Sequence, residues 1–210
     1  GLMKIISNKS LTPDVYEMVL EGSVAKSVTH PGQFINIKLD DGQTTYLRRP
    51  MSIHDYDENH ITLAYKVVGV GTNKMKQMVP GQMLDVLVGL GNGFEVANNK
   101  KALIIGGGVG VPPMYNLAKK FVEQGTEVEV VLGFNSKQDV FYEDKFKALG
   151  TTHVCTVDGS YGVQGNVIDV IKQEEIQYDN YYACGPEKML DALVLFDDEK
   201  GYLSFEARMG

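Results

Sequence analysis

The stretch KALIIGGGVGVPP, residues 101–113, decides how this chain is to be read. A short apolar run, Ala102 to Ile105, leads into three glycines, and two prolines close the segment. An apolar run of that length bounded by glycine reads as a buried strand. Prolines are at home in the first turn of a helix, where their missing N–H would be unpaired anyway. Strand, glycine turn and helix in that order open a parallel α/β unit. Glycines let a backbone approach a pyrophosphate closely, and a helix N-terminus adds unpaired N–H groups and a positive dipole end. The spacing from Gly108 is GxGxxP, not the usual GxGxxG. The alternative is a tight turn without a ligand, although such a turn needs one or two glycines and four are present.

Working outward, the C-terminal half repeats the alternation. EVEVVLGF (127–134), HVCTV (153–157), YYACG (181–185) and YLSFE (202–206) read as strands. Pro113–Gln124, FYEDKFKAL (141–149), residues 166–174 and PEKMLDALVLF (186–196) read as helices. Five strands with four intervening helices predict a doubly wound five-stranded parallel sheet. The N-terminal half differs. MKIIS (3–7), VYEMVL (15–20), FINIKL (34–39), ITLAYKVV (61–68) and MLDVLVGL (83–90) are separated by Pro31-Gly32, Asp40-Asp41-Gly42 and Pro80-Gly81. Short strands at that spacing predict an antiparallel barrel or sandwich. The tripeptide PGQ stands at 31–33 and again at 80–82, which type II turn chemistry explains without a repeat. Ala97-Asn98-Asn99-Lys100 is polar and aperiodic, so we expect two domains, 1–97 and 98–210.

Of 210 residues, 43% are hydrophobic and 22% charged, a globular balance. The net charge of −7 argues against a nucleic-acid partner. The acid surplus lies in the second half, which carries 11 basic and 17 acidic residues against 9 and 10 in the first. No apolar run approaches a membrane span and no signal peptide is legible, so no membrane association is expected. Gly1-Leu2 reads as a cloning remnant, with Met3 the expected native start. Cys155 and Cys184 stand in no metal-ligand spacing and the four histidines are scattered, so we expect no metal site. Two free thiols and no export signal fit a reducing cytoplasm.

Four further segments carry chemistry. Leu47-Arg48-Arg49-Pro50-Met51-Ser52-Ile53 offers an arginine that can pair with a phosphate and a hydroxyl for a ring nitrogen, although Arg-Arg at a strand end is commonly a solvated pair. Tyr65-Lys66-Val67-Val68-Gly69-Val70-Gly71-Thr72 runs into a glycine turn, with Thr72 read as N-cap of the helix that follows, for a phosphate or simply as a cap. Ala183-Cys184-Gly185-Pro186-Glu187-Lys188-Met189 closes a strand at the carboxyl edge of the sheet, where ligands of such sheets bind. Asp158-Gly159-Ser160-Tyr161-Gly162 follows another strand at the same edge and serves either a ribose or diphosphate or a plain turn. Cys155, in mid-strand, reads as core.

R-x-x-S (Arg49 to Ser52), a Gly-Thr helix start, GGVGVPP and CGP, in that order, resemble the ferredoxin–NADP reductase superfamily. RRPMSI, LGNGF (90–94), GGGVGVPPMYNLAK, CGPEKML and the tail SFEARM resemble more closely the electron-transfer subunits of NAD-dependent, class 1B dihydroorotate dehydrogenase, across essentially the whole chain. The resemblance implies an FAD-binding β-barrel over 1–97 and an NAD-binding α/β domain over 98–210. It implies Arg49 on the FAD diphosphate, Ser52 near flavin N5, Pro50 and Met51 lining the flavin, Tyr65, Lys66 and Val67 beside it, and Gly71-Thr72 holding the diphosphate. Many relatives have tyrosine where Met51 stands. Gly107, Gly108, Gly110, Pro113, Asp158, Gly185 and Pro186 would shape the NAD site, with Cys184 near the nicotinamide. No side chain is expected to act as a general acid or base, because the cofactors carry the chemistry.

The same resemblance implies a cytoplasmic flavoprotein oxidoreductase of pyrimidine biosynthesis. An FMN-binding partner subunit, in a heterotetramer, would oxidise dihydroorotate; electrons would pass through a 2Fe-2S cluster to FAD and, as hydride, to NAD+. The family's cluster cysteines lie beyond its last strand. This sequence ends at about that point, at Ser204–Gly210, so the resemblance implies a shortened chain without iron. Two rival readings are a related NAD(P)H–flavin reductase subunit serving ferredoxin or a sulfur compound, and a non-catalytic flavin-binding module. The stretch Gly133-Phe134-Asn135-Ser136-Lys137, with one lysine and no arginine, predicts NAD(H) over NADP(H).

Overall fold

A computed structural model describes residues 1–39 and 47–205; the Asp40-Asp41-Gly42 turn and the tail from Glu206 lie outside them. Six strands form the N-terminal unit: β1 (Leu2–Ser10), β2 (Val15–Glu21), β3 (Phe34–Lys38), β4 (Arg49–Tyr56), β5 (His60–Lys66) and β6 (Met83–Leu90). They pair antiparallel in the order β1-β2-β5-β4-β3-β6 and close into a barrel through β6 and β1. Alternate side chains fill the interior, among them Met3, Ile5, Met18, Leu20, Ile35, Ile37, Ile53, Leu63 and Tyr65. Helix α1 (Val70–Lys76) contributes Met75 to the same core. Both PGQ segments are turns with glycine at positive φ, +86° at Gly32 and +94° at Gly81, as a type II turn requires. Each glutamine then folds back: Gln33 Oε1 accepts from the Thr29 amide at 2.8 Å and Gln82 Oε1 from the Val79 amide at 2.8 Å.

The strand the sequence hid is β4. RPMSIHDY has no clean alternation and carries a proline, so only its end was legible as strand. β4 changes partner along its length. Arg49 to Ser52 pair with β3, whereas pairing with β5 runs from Ile53 to Tyr56. Pro50 therefore sits where the strand has a neighbour on one side only, the position a residue without an N–H tolerates.

The second unit is a sheet of β7 (Lys101–Gly107), β8 (Glu127–Phe134), β9 (Thr151–Thr156), β10 (Val163–Gln164), β11 (Asn180–Cys184) and β12 (Gly201–Ser204). Every pairing is parallel, in the order β10-β9-β8-β7-β11-β12. Five strands were expected and six are found; the extra β10 is two residues long, too short to show periodicity. Helices are α2 (Val111–Glu123), α3 (Glu143–Lys147), α4 (Val167–Gln173) and α5 (Glu187–Phe196). One face of the sheet packs Leu103, Ile105, Val131 and Tyr181 against α4 and α5. On the other, Phe121 of α2 lies against Tyr182 at 4.9 Å. Helix α3 starts at Glu143 and not at Phe141. Phe141 and Tyr142 are buried against each other and Phe134, and Tyr142 adopts a left-handed φ of 64° that ends any helix there.

The two compact units meet in sequence between Phe94 and Glu95, three residues before the expected boundary. Residues 97–99 are not a free hinge. Gln124 donates to the Ala97 carbonyl, Thr126 to that of Asn99, and Asn99 to the Tyr182 hydroxyl, all at 2.9–3.0 Å. Phe94 belongs to the barrel, its amide donating to the Pro31 carbonyl at 2.7 Å.

Candidate functional site

In the barrel unit the marked residues gather on β4 and on the segment from Tyr65 to Thr72. Arg48 and Arg49, adjacent in sequence, do different work. Arg48 is tied to the wall: its guanidinium donates to the Asp85 carboxylate at 2.6 Å and to the Asp85 carbonyl at 3.1 Å. That bond holds the Asp85 carboxyl below the usual range. Arg49 instead lies across α1. Its Nε and Cδ stand 2.5 and 3.3 Å from where a Cβ on Gly71 would be, and it donates to the Leu47 carbonyl. Gly71 is therefore a glycine because a side chain there would displace Arg49. Met51 packs against the barrel core, while Pro50 and Ser52 are half-buried on the opposite face of β4.

Three expectations about this segment need correcting in detail. Thr72 is not the N-cap. Helix α1 begins at Val70 with Gly69 as cap, and Thr72 is its third residue. Its buried hydroxyl accepts from the Val68 and Gly69 amides at 2.9 and 3.1 Å, the backward half of a capping box. Tyr65 points inward, 2% exposed, its hydroxyl donating to Asn8 Oδ1 at 2.9 Å. Burial pushes that phenol up to about 12. Lys66 is paired with Asp14 at 3.1 Å and Val67 packs on the barrel core. Along 65–67 only the Lys66 side chain is exposed.

In the α/β unit the order β9-β8-β7-β11-β12 reverses direction between β7 and β11, the switch point where such sheets open a crevice beyond their carboxyl ends. Gly106–Gly110 and Cys184–Pro186 flank it. The two motifs, 75 residues apart, are in direct contact. A Cβ on Gly110 would overlap the Cys184 carbonyl and stand 2.5 Å from the Gly185 nitrogen. One on Gly107 would meet Met189 Sδ at 2.7 Å, and one on Gly106 the Val111 Cα at 2.8 Å. Counting four glycines as evidence of a ligand was therefore unsound: protein packing accounts for three. Gly108 is the exception. It has φ +52° and open space where its Cβ would be. Met189, under Gly107, closes the segment marked from sequence but was given no role there; its place three residues past Pro186 on the inward side of α5 was the available signal.

The donors at this turn also differ from expectation. Pro112 and Pro113 are the second and third residues of α2 and have no N–H, and the Val111 amide donates to the Gly108 carbonyl. The first turn of α2 thus keeps its dipole but supplies no unpaired amide from these three residues, and an anion here meets the 108–110 turn. Farther along the edge, Asp158 accepts from the Ser160 hydroxyl at 2.6 Å and amide at 2.9 Å, which holds its carboxyl low. Ser160 in turn accepts from the Lys137 amide at 2.8 Å, tying the loops after β8 and β9 together. Neither cysteine forms a disulfide and both are buried: Cys184 at the end of β11, Cys155 inside the core of β9, where burial pushes the thiol up to about 11. Among the described residues, no three His, Cys, Asp or Glu side chains gather to hold a metal and no helix is long and apolar enough to cross a membrane.

A family model described as an oxidoreductase NAD-binding domain matches residues 104–194, the segment that contains the switch point. The chain is 46% identical to the dihydroorotate dehydrogenase B (NAD(+)) electron transfer subunit of Fusobacterium nucleatum, over 96% of this chain and 82% of that one. It is 44% identical to the subunit of the same name from a Geobacillus species, over 99% of this chain and 83% of that one. The chain belongs to this family of electron transfer subunits. Its fold is ferredoxin-reductase-like. A chain of an NADH-dependent reduced ferredoxin-NADP oxidoreductase superposes on all of it with TM-score 0.88 at 28% identity, over 78% of its own length. The FAD/NAD-binding domain of nitric oxide dioxygenase from Vibrio cholerae does so with TM-score 0.82 at 18% identity, over 99% of this chain and 98% of that one, a likeness of fold alone.

Proposed function

We propose that this family member binds FAD on its barrel unit and NAD(H) on its α/β unit, and passes electrons between a dihydroorotate-oxidising FMN partner subunit and NAD+. The observation that carries the reading is the switch-point crevice, where Gly108 alone among the clustered glycines has no neighbour of its own. An extended pyrophosphate can lie against that backbone with the amides of 108–110 turned to it. Gly107, Gly110, Gly185 and Pro186 then act by letting two strand-to-helix turns approach. Pro113 fixes the start of α2, Cys184 lies at the crevice, and Asp158 stands at the ribose end.

The barrel fits FAD in the same terms. Arg49 offers a guanidinium beside Gly71, with the main chain of Gly71-Thr72 next to it, and the one-sided half of β4 presents Arg49, Pro50, Met51 and Ser52. FAD bound there supplies hydride exchange with NAD(H); the chain itself binds, orients and excludes water, and moves no proton. The purified protein should show flavin absorption that NADH bleaches without oxygen, and any reduction of NAD+ from dihydroorotate should need both the FMN subunit and a 2Fe-2S relay between its FMN and this FAD. Absence of bound flavin, or flavin indifferent to NADH, would overturn the proposal. The likeness to a ferredoxin-NADP oxidoreductase supports a second reading, in which ferredoxin is the partner; reduced ferredoxin in place of dihydroorotate then drives the reaction.

A further inference from the structure

Strand β1 carries an irregularity between Ile5 and Ser7. Ile5 is opposite Leu20 and Asn8 is opposite Met18, and Leu20 and Met18 both point into the barrel. Residues directly opposite in an antiparallel pair share a face. Ile5 and Asn8 are three apart and by strict alternation would face opposite ways. The bulge reverses the alternation and turns Asn8 inward, the re-aiming of a side chain that bulges provide. What Asn8 meets there is the end of α1. Its Nδ2 donates to the Met75 carbonyl at 2.8 Å and the Met78 carbonyl at 2.9 Å, and the Tyr65 hydroxyl donates to its Oδ1 at 2.9 Å. The Tyr65 bond fixes which way the amide faces. Main-chain bonds from Ile5 to Gly81 and Gln82, both at 2.8 Å, fasten the turn after the helix to the same strand.

The other end of this helix carries Gly71, against which Arg49 lies. Two turns of helix form one rigid body, so the placement of its C-terminal end sets the placement of Gly71. We infer that Asn8 is a positioning residue for the phosphate-binding arginine: through α1 it fixes where the Arg49 guanidinium can rest, without touching the ligand itself. The inference rests on the reading of Arg49 as the diphosphate ligand. The chemistry recognised is the diphosphate arm of a flavin dinucleotide, and the isoalloxazine ring should not feel it.

The test compares FAD with riboflavin, which lacks the diphosphate, on the full chain stripped of flavin. In Asn8→Ala we expect FAD affinity to fall about tenfold, the loss of one positioned interaction, with riboflavin affinity changed less than about twofold. Tyr65→Phe, which leaves Asn8 in place but unoriented, should shift the FAD-to-riboflavin ratio the same way by a smaller factor, and decides the matter if Asn8→Ala does not fold. Thermal melts report folding in each variant. A merely structural Asn8 would lower both affinities together, or the melting point alone; either result overturns the inference. Arg49→Ala is the separate arm. Should it lower FAD affinity while both other variants leave the ratio untouched, the positioning role fails and the diphosphate reading stands. Should it leave FAD affinity unchanged, the diphosphate reading fails and the positioning role falls with it.

Discussion

Replacing Gly110 by alanine tests the claim that the glycines at the switch point serve packing. The new Cβ would overlap the Cys184 carbonyl and stand 2.5 Å from the Gly185 nitrogen, where ordinary contact begins at 3.4 Å. The two strand-to-helix turns would have to part by at least about 0.9 Å, the difference between those separations, because the Cys184 carbonyl stands closer still. Every atom in the way is main chain, and the Cys184–Gly106 pairing of β11 with β7 anchors it, so no side chain can swing aside. Overpacking costs about 1–3 kcal/mol, and a backbone obstacle puts Gly110→Ala at the upper end, ~3 kcal/mol. For a unit of roughly a hundred residues that lowers melting by at least about 10 °C. Gly185→Ala should cost less, because the nearest obstacle to its Cβ is the mobile methyl of Met189, at 2.5 Å. Gly108→Ala meets nothing, but at φ +52° it carries the left-handed penalty of about 1–2 kcal/mol. Gly108→Ala should weaken NADH binding directly, since its methyl projects into the open space, whereas Gly110→Ala should do so only by parting the turns and in step with its loss of stability. Calorimetry with NADH titration of the three proteins is the assay. A Gly110→Ala protein melting within about 2 °C of the parent, well inside the expected shift, would refute the packing account.

Three other outcomes are expected. Burial raises the Glu129 carboxyl, but hydrogen bonds from Lys101 at 2.6 Å and His153 at 2.8 Å outweigh it and hold it below the ordinary 4.5. A carboxyl depressed in the folded state adds stability that is present above its unfolded value and is lost as pH falls through its folded one. Glu129→Gln should therefore be less stable than the parent by about 1–2 kcal/mol near neutrality, with the gap closing in acid; urea melts at about pH 7 and about pH 3.5 check it, and a constant gap contradicts it. The Cys155 thiol, at about 11, should be thiolate in roughly one molecule in a thousand at about pH 8, so iodoacetamide should label it only after unfolding. For cofactor choice, Glu143 is paired with Lys147, whereas Asp139, held by the Ser136 amide and hydroxyl, keeps its negative charge next to the 133–137 stretch. The preference for NADH then rests on that charge and on the want of an arginine in 133–137, and a kcat/KM ratio over NADPH near one would dispose of it.

The local order of elements was legible because it depends on short-range chemistry. Apolar runs broken by Pro-Gly announced five barrel strands, and the prolines after the glycine run announced α2, which starts at Val111, two residues before the expected Pro113. The GxGxxP and CGP motifs marked the carboxyl edge for the same reason. Where reading failed, the partner of the side chain, near or distant, had decided. Thr72 looked like a cap, yet the amides it serves lie behind it, and the helix starts at Val70. Tyr65 was expected only to run beside a ligand, and the sequence did not show that Asn8, 57 positions away, holds its side chain inside the barrel.

Chain order, residue type and spacing were enough to set two unlike units in succession, to mark the glycine turn at the carboxyl edge of the sheet, and to separate a core cysteine from one at the sheet edge. Each of these follows from interactions within a turn or a strand. Spacing could not say which glycine serves packing and which leaves room, because that depends on whether Cys184, Met189 or nothing stands opposite. Nor could it divide Arg48 from Arg49, identical neighbours with equal reach. Asp85, brought alongside by the closing of the barrel, takes the first, and the bare backbone of Gly71 receives the second. A side chain's role is set by the partner that folding brings to it, and those partners lie 22 to 82 residues away along the chain.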